Sequence, residues 1–264
     1  MKNFIVRHFA AGALAACVVA GAIVPTVSHA TDAPDQSRRL EETVRAFDEM
    51  AMKVNGSRAQ ELARWAGTIY LAISDAPGME RVAGEAERMV RALASVARVN
   101  VERVPASDPR RNFYIKASSR DSSGRNPCFS AVDWDDWGRM ATVEVNVNLS
   151  NHSRLTRCIN HEVLHGFGLR SHPATAFSVL SYHYANQASL TETDHVVLST
   201  LYDSRVPVTG RMDVIARAAC GVLAEKLNMT AEAAEPVCAR RTQPSRGGLF
   251  ASLGQNGERE KIGQ

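Results

Sequence analysis

The stretch Asn160-His161-Glu162-Val163-Leu164-His165-Gly166-Phe167-Gly168 contains the pattern H-E-x-x-H. Apolar residues recur every four positions through it, which predicts an α-helix: Leu155, Ile159, Val163 and Phe167. Residues four apart lie one helical turn above each other, so His161 and His165 project together, away from the apolar stripe. Two imidazoles on one helix face can bind one metal ion.

The residue between these histidines, Glu162, suggests a role for such an ion. Neutral imidazole is a favoured zinc ligand, and three protein ligands leave the fourth position of a tetrahedral site open to water. Zinc lowers the pKa of that water to about 7, and a nearby carboxylate can take its proton as the water attacks a carbonyl. The pattern therefore predicts Glu162 as a general base. Three fixed positions also arise by chance, so the residues that follow decide how specific the signal is.

Two residues after the motif support a metal site. Gly168 lies three residues beyond His165, where a helix that ends in glycine can reverse its direction. His172 follows four residues later, in a position to bring a third imidazole back to the ion. The sequence therefore predicts zinc held by His161, His165 and His172.

Upstream of this helix, the hydrophobic pattern predicts an α/β (α+β) fold with a mixed sheet. Val143, Val145, Val147 and Leu149 alternate with other residues, which indicates a strand with one buried face. Between Met79 and Val96, apolar residues every three or four positions predict an amphipathic helix that packs on the sheet. The predicted strands are 68–73, 99–104, 112–117 and 142–149.

Further helices are predicted on both sides of this region. They cover residues 38–54, ending at Asn55-Gly56, a second stretch at 57–65, a short helix after Leu190 that ends at Tyr202, and about 213–227. Residues 118–126 read as a polar loop. Residues 239–264 lack apolar periodicity and read as a flexible, solvated tail, whose basic residues could instead contact anionic envelope surfaces.

The first thirty residues read as a secretory signal peptide. Lys2 and Arg7 precede an apolar run from Phe9 to Val24, and Ser28-His29-Ala30 offers small residues at the cleavage-determining positions. The run is too short for a membrane span without further flanks. A lipoprotein attached at Cys17 is the alternative, which the hydrophobic residues after Cys17 disfavour. We therefore expect a secreted or periplasmic protein without stable membrane insertion after signal removal.

Export bears on the cysteines. If Cys17 leaves with the signal, Cys128, Cys158, Cys220 and Cys238 remain, and two disulfides are expected in an oxidising compartment. Of three possible connectivities we favour Cys128 with Cys158 and Cys220 with Cys238. None of the four has the C-x-x-C spacing of a thiolate zinc site, which disfavours a role as metal ligands.

The charge balance disfavours a nucleic-acid partner. The chain of 264 residues has 31 Lys and Arg against 28 Asp and Glu, with 45% hydrophobic residues, as in a folded globular protein. The first thirty residues contain two bases and no acid, which leaves 29 basic against 28 acidic residues. Phosphate binding requires a strong basic excess on one face. We expect a peptide or protein substrate instead; the sequence does not indicate an oligomeric state.

Taken together, these motifs resemble the metzincin clan of zinc endopeptidases. The likeness comprises H-E-x-x-H-x-x-G, a third histidine nearby, a turn Ser178-x-Leu180-x-Tyr182, and a closing helix with Leu190-Thr191-x-x-Asp194. More narrowly, the chain resembles domain-of-unknown-function family 2927, secreted bacterial proteins with a metzincin-like signature. The resemblance spans about residues 65–205, with the specific motifs within 158–202. It implies a twisted sheet over helices, a short lower half, a cleft between them, and hydrolysis of peptide bonds.

The resemblance also suggests how the chain is divided. Residues 1–30 are the predicted signal peptide, and residues 65–205 form the metzincin-like catalytic domain with its active-site helix and short C-terminal subdomain. An N-terminal helical segment covers 31–64, a C-terminal helical extension covers 206–238, and the tail covers 239–264. A cysteine-type zinc-blocking propeptide is not expected, because residues 31–53 contain no Cys.

Two positions depart from the metzincin pattern. The third histidine normally stands where this chain has Ser171, so His172 requires a loop longer by one residue, with His183 or His195 as alternatives. The turn that usually carries Met beneath the zinc has Leu180, which can fill a similar apolar volume. Tyr182 matches a tyrosine that steadies the oxyanion in some metzincins, or it packs on the cleft wall. Asp194 is expected to cap its helix.

Three functions are compatible with these residues. The first is an exported zinc metallopeptidase with Glu162 as general base and Tyr182 as an oxyanion donor. The second is a metallopeptidase-like envelope protein that binds a partner without cleaving it, because the departures at Ser171 and Leu180 are compatible with lost activity. The third takes the last metal ligand from a downstream acid such as Glu192, and it is the weakest because the expected glutamate motif is missing.

Overall fold

A computed structural model describes residues 33–54, 56–118, 128–150 and 154–240 of the protein. The strands of these residues, in chain order, are β1 Lys53–Val54, β2 Ser57–Arg58, β3 Ile69–Ile73, β4 Val101–Arg103, β5 Phe113–Ala117, β6 Cys128–Trp134 and β7 Met140–Val147. Five of them form one mixed sheet in the order β4-β3-β5-β7-β6. The first four are parallel, and β6 pairs antiparallel with β7 at an edge. The predicted mixed α/β fold is confirmed.

Helices lie against this sheet and extend beyond it. They are α1 Ala33–Ala51, α2 Glu80–Ala97, α3 Leu155–His165, α4 Glu192–Leu201, α5 Met212–Lys226 and α6 Ala231–Ala239. The motif helix α3 contacts α2, β6 and β7. The N-terminal helix α1 contacts α4, α5 and α6, so the two ends of the described chain pack on each other.

The strand and helix patterns explain how α3 is held. Val143, Val145 and Val147 of β7 are buried, as the period-two pattern predicts, whereas Leu149 lies beyond the end of the strand. On α3, Ile159 and Val163 are fully buried. Because hydrophobic burial is roughly proportional to the apolar area removed from water, these stripes stabilise the helix against the sheet. The predicted amphipathic helix at 79–96 corresponds to α2, which contacts α3 and α4.

Both favoured disulfides are confirmed. Cys128 of β6 is bonded to Cys158 of α3, with their Cα atoms 5.7 Å apart. Cys220 of α5 is bonded to Cys238 of α6, with their Cα atoms 5.5 Å apart. The first bond joins α3, the helix that carries the motif, to the edge strand β6, and the second joins the last two helices, α5 and α6.

The region before the sheet differs from the prediction. No helix spans 57–65, because Ser57 and Arg58 pair with Lys53 and Val54 in a hairpin, and Gly56 has a left-handed φ of 79°. Leu62 and Arg64 then donate backbone hydrogen bonds to distant carbonyls, of Val208 and Gly138. Tertiary bonds therefore override the helical spacing. The predicted helix 38–54 is instead α1 at Ala33–Ala51, which ends before residue 54 because Lys53 and Val54 belong to the local hairpin.

Other elements match or extend the predictions. The remaining predicted strands and the helices near 191–202 and 213–227 are present within about two residues. The sequence did not predict β6 or α6 as separate elements. The predicted signal peptide, nearly all of the polar loop and residues 241–264 of the predicted tail lie outside the described residues, and the division into domains stays a prediction.

No helix in the described part of the chain is long and apolar enough to cross a membrane.

Candidate metal centre

The helix α3 carries the first two histidines of the centre. His161 and His165 are 6% and 5% exposed, and their ring centroids are 4.9 Å apart. The helix ends at His165, and the backbone then passes close to the sheet at Gly166, where a β-carbon would overlap the ring of Phe113. The motif therefore lies at the C-terminal end of a helix packed against the sheet.

Gly168 makes the chain turn back, as predicted. Its φ is 92°, and a β-carbon would overlap the carbonyl oxygen of Ala63. Only glycine adopts such a conformation readily and also allows this close approach. The turn directs the following residues toward His172, whose ring lies 4.9 Å from that of His165.

Arg170 anchors the loop between Gly168 and His172. Its side chain is fully buried, donates hydrogen bonds to the carbonyl oxygens of Ala51 and Glu61, and lies 3.6 Å from the Glu61 carboxylate. The guanidinium also lies 4.7 Å from the ring centroid of Trp134. Burial lowers the pKa of Arg170 to about 10. Because this pKa is still well above neutral pH, the side chain remains cationic. The residues before the sheet thus hold the segment that delivers the third imidazole.

The three imidazoles meet at one point. The Nε2 atoms of His161 and His172 are 3.0 Å apart, those of His165 and His172 3.2 Å, and those of His161 and His165 3.3 Å. Tetrahedral zinc with bonds of about 2.0–2.1 Å to nitrogen requires nitrogen atoms separated by about 3.3 Å. The three histidines could therefore bind a metal ion, because their nitrogen atoms are separated by about the distance that tetrahedral zinc requires.

The opposite ring nitrogens fix the tautomers of the helical pair. The Nδ1 atom of His161 donates to the carbonyl oxygen of Val179 at 3.0 Å, and that of His165 donates to the carbonyl oxygen of Leu169 at 2.5 Å. A carbonyl can only accept, so the proton is on Nδ1 and the Nε2 lone pair faces the centre. Such carbonyl partners orient metal-binding histidines and raise their basicity.

A buried network positions the Val179 carbonyl. The Asp194 carboxylate accepts hydrogen bonds from the Ser178 hydroxyl at 2.5 Å and from the Val179 backbone N–H at 3.2 Å. It also accepts from Thr191, whose hydroxyl caps α4 in a reciprocal capping box. The predicted capping role of Asp194 is confirmed, and the same carboxylate fixes the segment that holds His161.

Burial keeps two of the imidazoles, those of His161 and His172, neutral. It lowers the pKa of His161 well below the ordinary value, with help from the neighbouring His165 and His172. Burial also lowers the pKa of His172 to about 3. Because a metal binds the neutral form of imidazole, these groups are ready to bind without first losing a proton at neutral pH.

Glu162 faces the edge strand. Its carboxylate accepts a hydrogen bond of 2.7 Å from the hydroxyl of Ser130, which is 3% exposed, and a further one from the Ser130 backbone. Burial raises the pKa of Glu162, while His165 and the bonds from Ser130 act in the opposite direction. The Glu162 carboxylate is therefore oriented by Ser130, and burial increases its basicity. It lies on the same helix as His161 and His165.

The disulfide explains why Ser130 meets Glu162. Cys128 and Ser130 are two residues apart on β6 and share a face, and Cys158 and Glu162 are four residues apart on α3 and share a face. The bond between the cysteines therefore sets the two faces against each other. Sequence reasoning missed Ser130, although the favoured disulfide and these two periodicities contained the signal for it.

Tyr182 lies beside the third imidazole. Its ring stacks on that of His172 with centroids 4.2 Å apart, yet 61% of the residue is exposed. Partial burial and then the charge of Glu162 raise the pKa of Tyr182, so its hydroxyl keeps its proton. Leu180, at the position of the usual Met, is fully buried.

The alternative ligands lie elsewhere. His183 and His195 are exposed and do not belong to the group of three imidazoles. Glu192 is exposed and forms an ion pair with Arg39. Ser171 is buried one residue before His172, and its N–H donates to the carbonyl of Met50 at 3.2 Å. The loop between Gly168 and His172 is one residue longer than in the metzincin pattern, and it brings His172, not Ser171, to the group of imidazoles.

No protein-family model matches the chain, and a search of curated proteins finds no match either.

Proposed function

We propose that the protein is an exported zinc-dependent metallopeptidase of the metzincin type. The observation that carries the proposal is the convergence of three Nε2 atoms within 3.0–3.3 Å of one another, beside the held carboxylate of Glu162. His161, His165 and His172 would hold the metal, and zinc is the ion that an all-imidazole set of three best suits. The proposal includes the resemblance to metzincins and to domain-of-unknown-function family 2927 that the sequence suggests.

Zinc, when bound, supplies Lewis acidity, which acidifies water and polarises a carbonyl group. In the proposed reaction, one oxygen of the Glu162 carboxylate takes the proton of the attacking water and later passes it to the leaving amine. Ser130 occupies the other oxygen, Oε2, so the carboxylate is oriented before substrate arrives. The raised pKa of Glu162 favours this exchange, because a more basic carboxylate takes the proton of water more readily.

Tyr182 supplies a hydrogen-bond donor in the proposed reaction. Its stacking on His172 places the phenol next to the centre, and its raised pKa keeps the hydroxyl protonated. Such a donor stabilises negative charge that develops on the carbonyl oxygen in the transition state. The exposure of Tyr182 indicates that this donor acts at the mouth of the site.

Export is supported by the cysteine usage. Two disulfides are present among the described residues, and structural disulfides persist in oxidising compartments. Together with the predicted signal peptide at 1–30, this supports a secreted or periplasmic location. The proposed substrate is accordingly a peptide or protein met outside the cytoplasm.

The exchange Glu162→Gln tests the proposal, because glutamine keeps the hydrogen bond to Ser130 but cannot take a proton. We expect full zinc content with hydrolysis of a peptide library lowered by about 10³-fold. The exposed Glu232 of α6 provides a matched control, and Glu232→Gln should leave both unchanged. An undiminished rate in Glu162→Gln would remove Glu162 from its role. Zinc binding by the wild-type protein without any cleavage would favour a partner-binding protein instead.

A further inference from the structure

Arg157 is a charged residue near the centre that has no role in the proposed reaction. It lies one helical turn before His161 on α3, so the two side chains share a face. One of its nitrogens, Nη2, donates to the carbonyl oxygen of Ser181 at 3.2 Å. This bond holds the guanidinium against the residue that precedes the exposed Tyr182.

The hydrogen bonding of Arg157 is incomplete. Its Nε atom is buried and has no hydrogen-bond partner among the described residues. No carboxylate of the described residues forms an ion pair with it. The buried Arg170 also has two nitrogens without hydrogen-bond partners, Nε and Nη1, but its charge is paired with the Glu61 carboxylate at 3.6 Å. Burial lowers the pKa of Arg157. A half-buried cation without an anion is costly, so an anionic ligand that pairs with Arg157 would offset that cost.

Arg157 lies close to the centre. Its guanidinium donates to the carbonyl oxygen of Ser181, and the next residue, Tyr182, stacks on the ring of His172 with centroids 4.2 Å apart. With a divalent ion in place, two positive groups would outweigh the single negative charge of Glu162. The site would therefore attract an anionic ligand.

We propose that Arg157 binds a carboxylate of the peptide substrate, and that the protein prefers peptides with a carboxylate close to the cleaved bond. This inference rests on the proposed peptidase function. The planar guanidinium matches a carboxylate with two parallel hydrogen bonds, which a neutral amide cannot reproduce. The carboxylate is either the C-terminus of a short peptide or the side chain of an Asp or Glu.

Kinetics on matched peptides test this preference and identify the source of the carboxylate. One pair of peptides differs only in a free or amidated C-terminus, and a second pair differs only in Asp or Asn beside the cleaved bond. For one pair we expect wild-type kcat/KM to be about 10- to 100-fold higher for the acid. Arg157→Gln should abolish that ratio, because the rate on the acid falls at least about tenfold further than the rate on the neutral peptide. Arg157→Lys should keep part of the ratio.

Controls separate a binding role from a structural one. Arg88→Gln removes the same charge from the exposed face of α2 and should keep the preference. The inference is overturned if the wild-type protein shows no preference in either pair. It is also overturned if Arg157→Gln keeps the preference or lowers both members of a pair equally, since loss of structure would act on both.

A binding readout keeps this inference separate from the peptidase function. Calorimetric titration of zinc-loaded wild-type protein and Arg157→Gln with an acetylated dipeptide acid and its amide measures affinity without turnover. We expect the acid to bind wild-type protein at least about tenfold more tightly than the amide, and Arg157→Gln to bind both alike. If no peptide is cleaved but this difference appears, the peptidase function fails and the carboxylate site stands. Equal affinities in wild-type protein overturn the carboxylate site.

Discussion

The loop that delivers His172 and the turn that carries Tyr182 end at the same three imidazoles but are built differently. The loop is anchored by Arg170, whose side chain is fully buried. The turn is buried from Ser178 to Ser181 and opens only at its end, where Tyr182 is 61% exposed. The difference suggests that buried contacts fix where a metal ligand lies, whereas an exposed side chain contacts substrate. Substitutions should therefore change stability and metal binding in the loop, and rate at Tyr182.

The largest effect is expected at Gly168 in the loop. Gly168→Ala adds a β-carbon that overlaps the Ala63 carbonyl at a φ of 92°, and we expect it to lower the free energy of unfolding by about 3 kcal/mol. Zinc content should fall as well, because His172 is displaced. Denaturant unfolding and elemental analysis measure the two effects.

A second glycine provides the control for this substitution. Gly221 lies in α5 with open space around its β-position, so Gly221→Ala should be neutral or stabilise by up to about 1 kcal/mol. If Gly168→Ala were as stable as Gly221→Ala and kept its metal, the loop would not be the rigid part of the centre.

Acidification should weaken the metal-free protein through the same buried histidines. The pKa of His172 is about 3 in the folded protein and about 6.5 in the unfolded chain, so the unfolded state binds more protons below pH 6.5. The contribution to stability is complete above pH 6.5 and is lost as the pH falls toward 3, at about 1.4 kcal/mol per pH unit. His172→Gln should show a shallower loss between pH 6.5 and 4.5 in denaturant titrations. Parallel curves for the two proteins would contradict this assignment.

Tyr182, at the end of the turn, should respond in rate instead of stability. Tyr182→Phe keeps the ring that stacks on His172 and removes only the hydroxyl. We expect kcat to fall about tenfold, less than for a buried oxyanion donor because the residue is exposed. Melting temperature and zinc content should not change. A loss of metal in this variant would show that Tyr182 belongs to the rigid part.

The smallest effect is expected at Ser130, which orients Glu162 together with a backbone hydrogen bond that remains after substitution. Ser130→Ala should lower kcat about threefold with zinc content unchanged. Thr142→Ala is the matched control, because it removes a hydrogen bond of 3.0 Å to Asp133 between β6 and β7. Equal rates in the two variants would show that Ser130 does not orient the base.

Much of this centre could be predicted because its signals are local. The spacing of His161 and His165 on a helix, the reversal at Gly168 and the alternation in β7 each depend on residues a few positions apart. The expectation of two disulfides followed from the number of cysteines and an assumed compartment, which do not by themselves select one of the three connectivities. In the helix α3 and the strand β7, a single periodicity determines which side chains share a face.

The parts that were missed depend on contacts between distant residues. The stretch 57–65 has helical spacing, but its backbone bonds to Gly138 and Val208 are stronger determinants than propensity. Ser130 meets Glu162 across 32 positions. Arg170 gave no signal in the sequence, because a buried arginine is identified only by the carbonyls and carboxylate that surround it.

The most direct test is the zinc content of the exported protein, measured by elemental analysis in the wild type, His172→Ala and His183→Ala. The account predicts about one zinc per chain in the wild type and in His183→Ala, because His183 is exposed outside the centre. His172→Ala should lose most of its zinc under the same dialysis. A wild-type protein without bound metal, or equal zinc in His172→Ala, would contradict the claim that three imidazoles hold one ion.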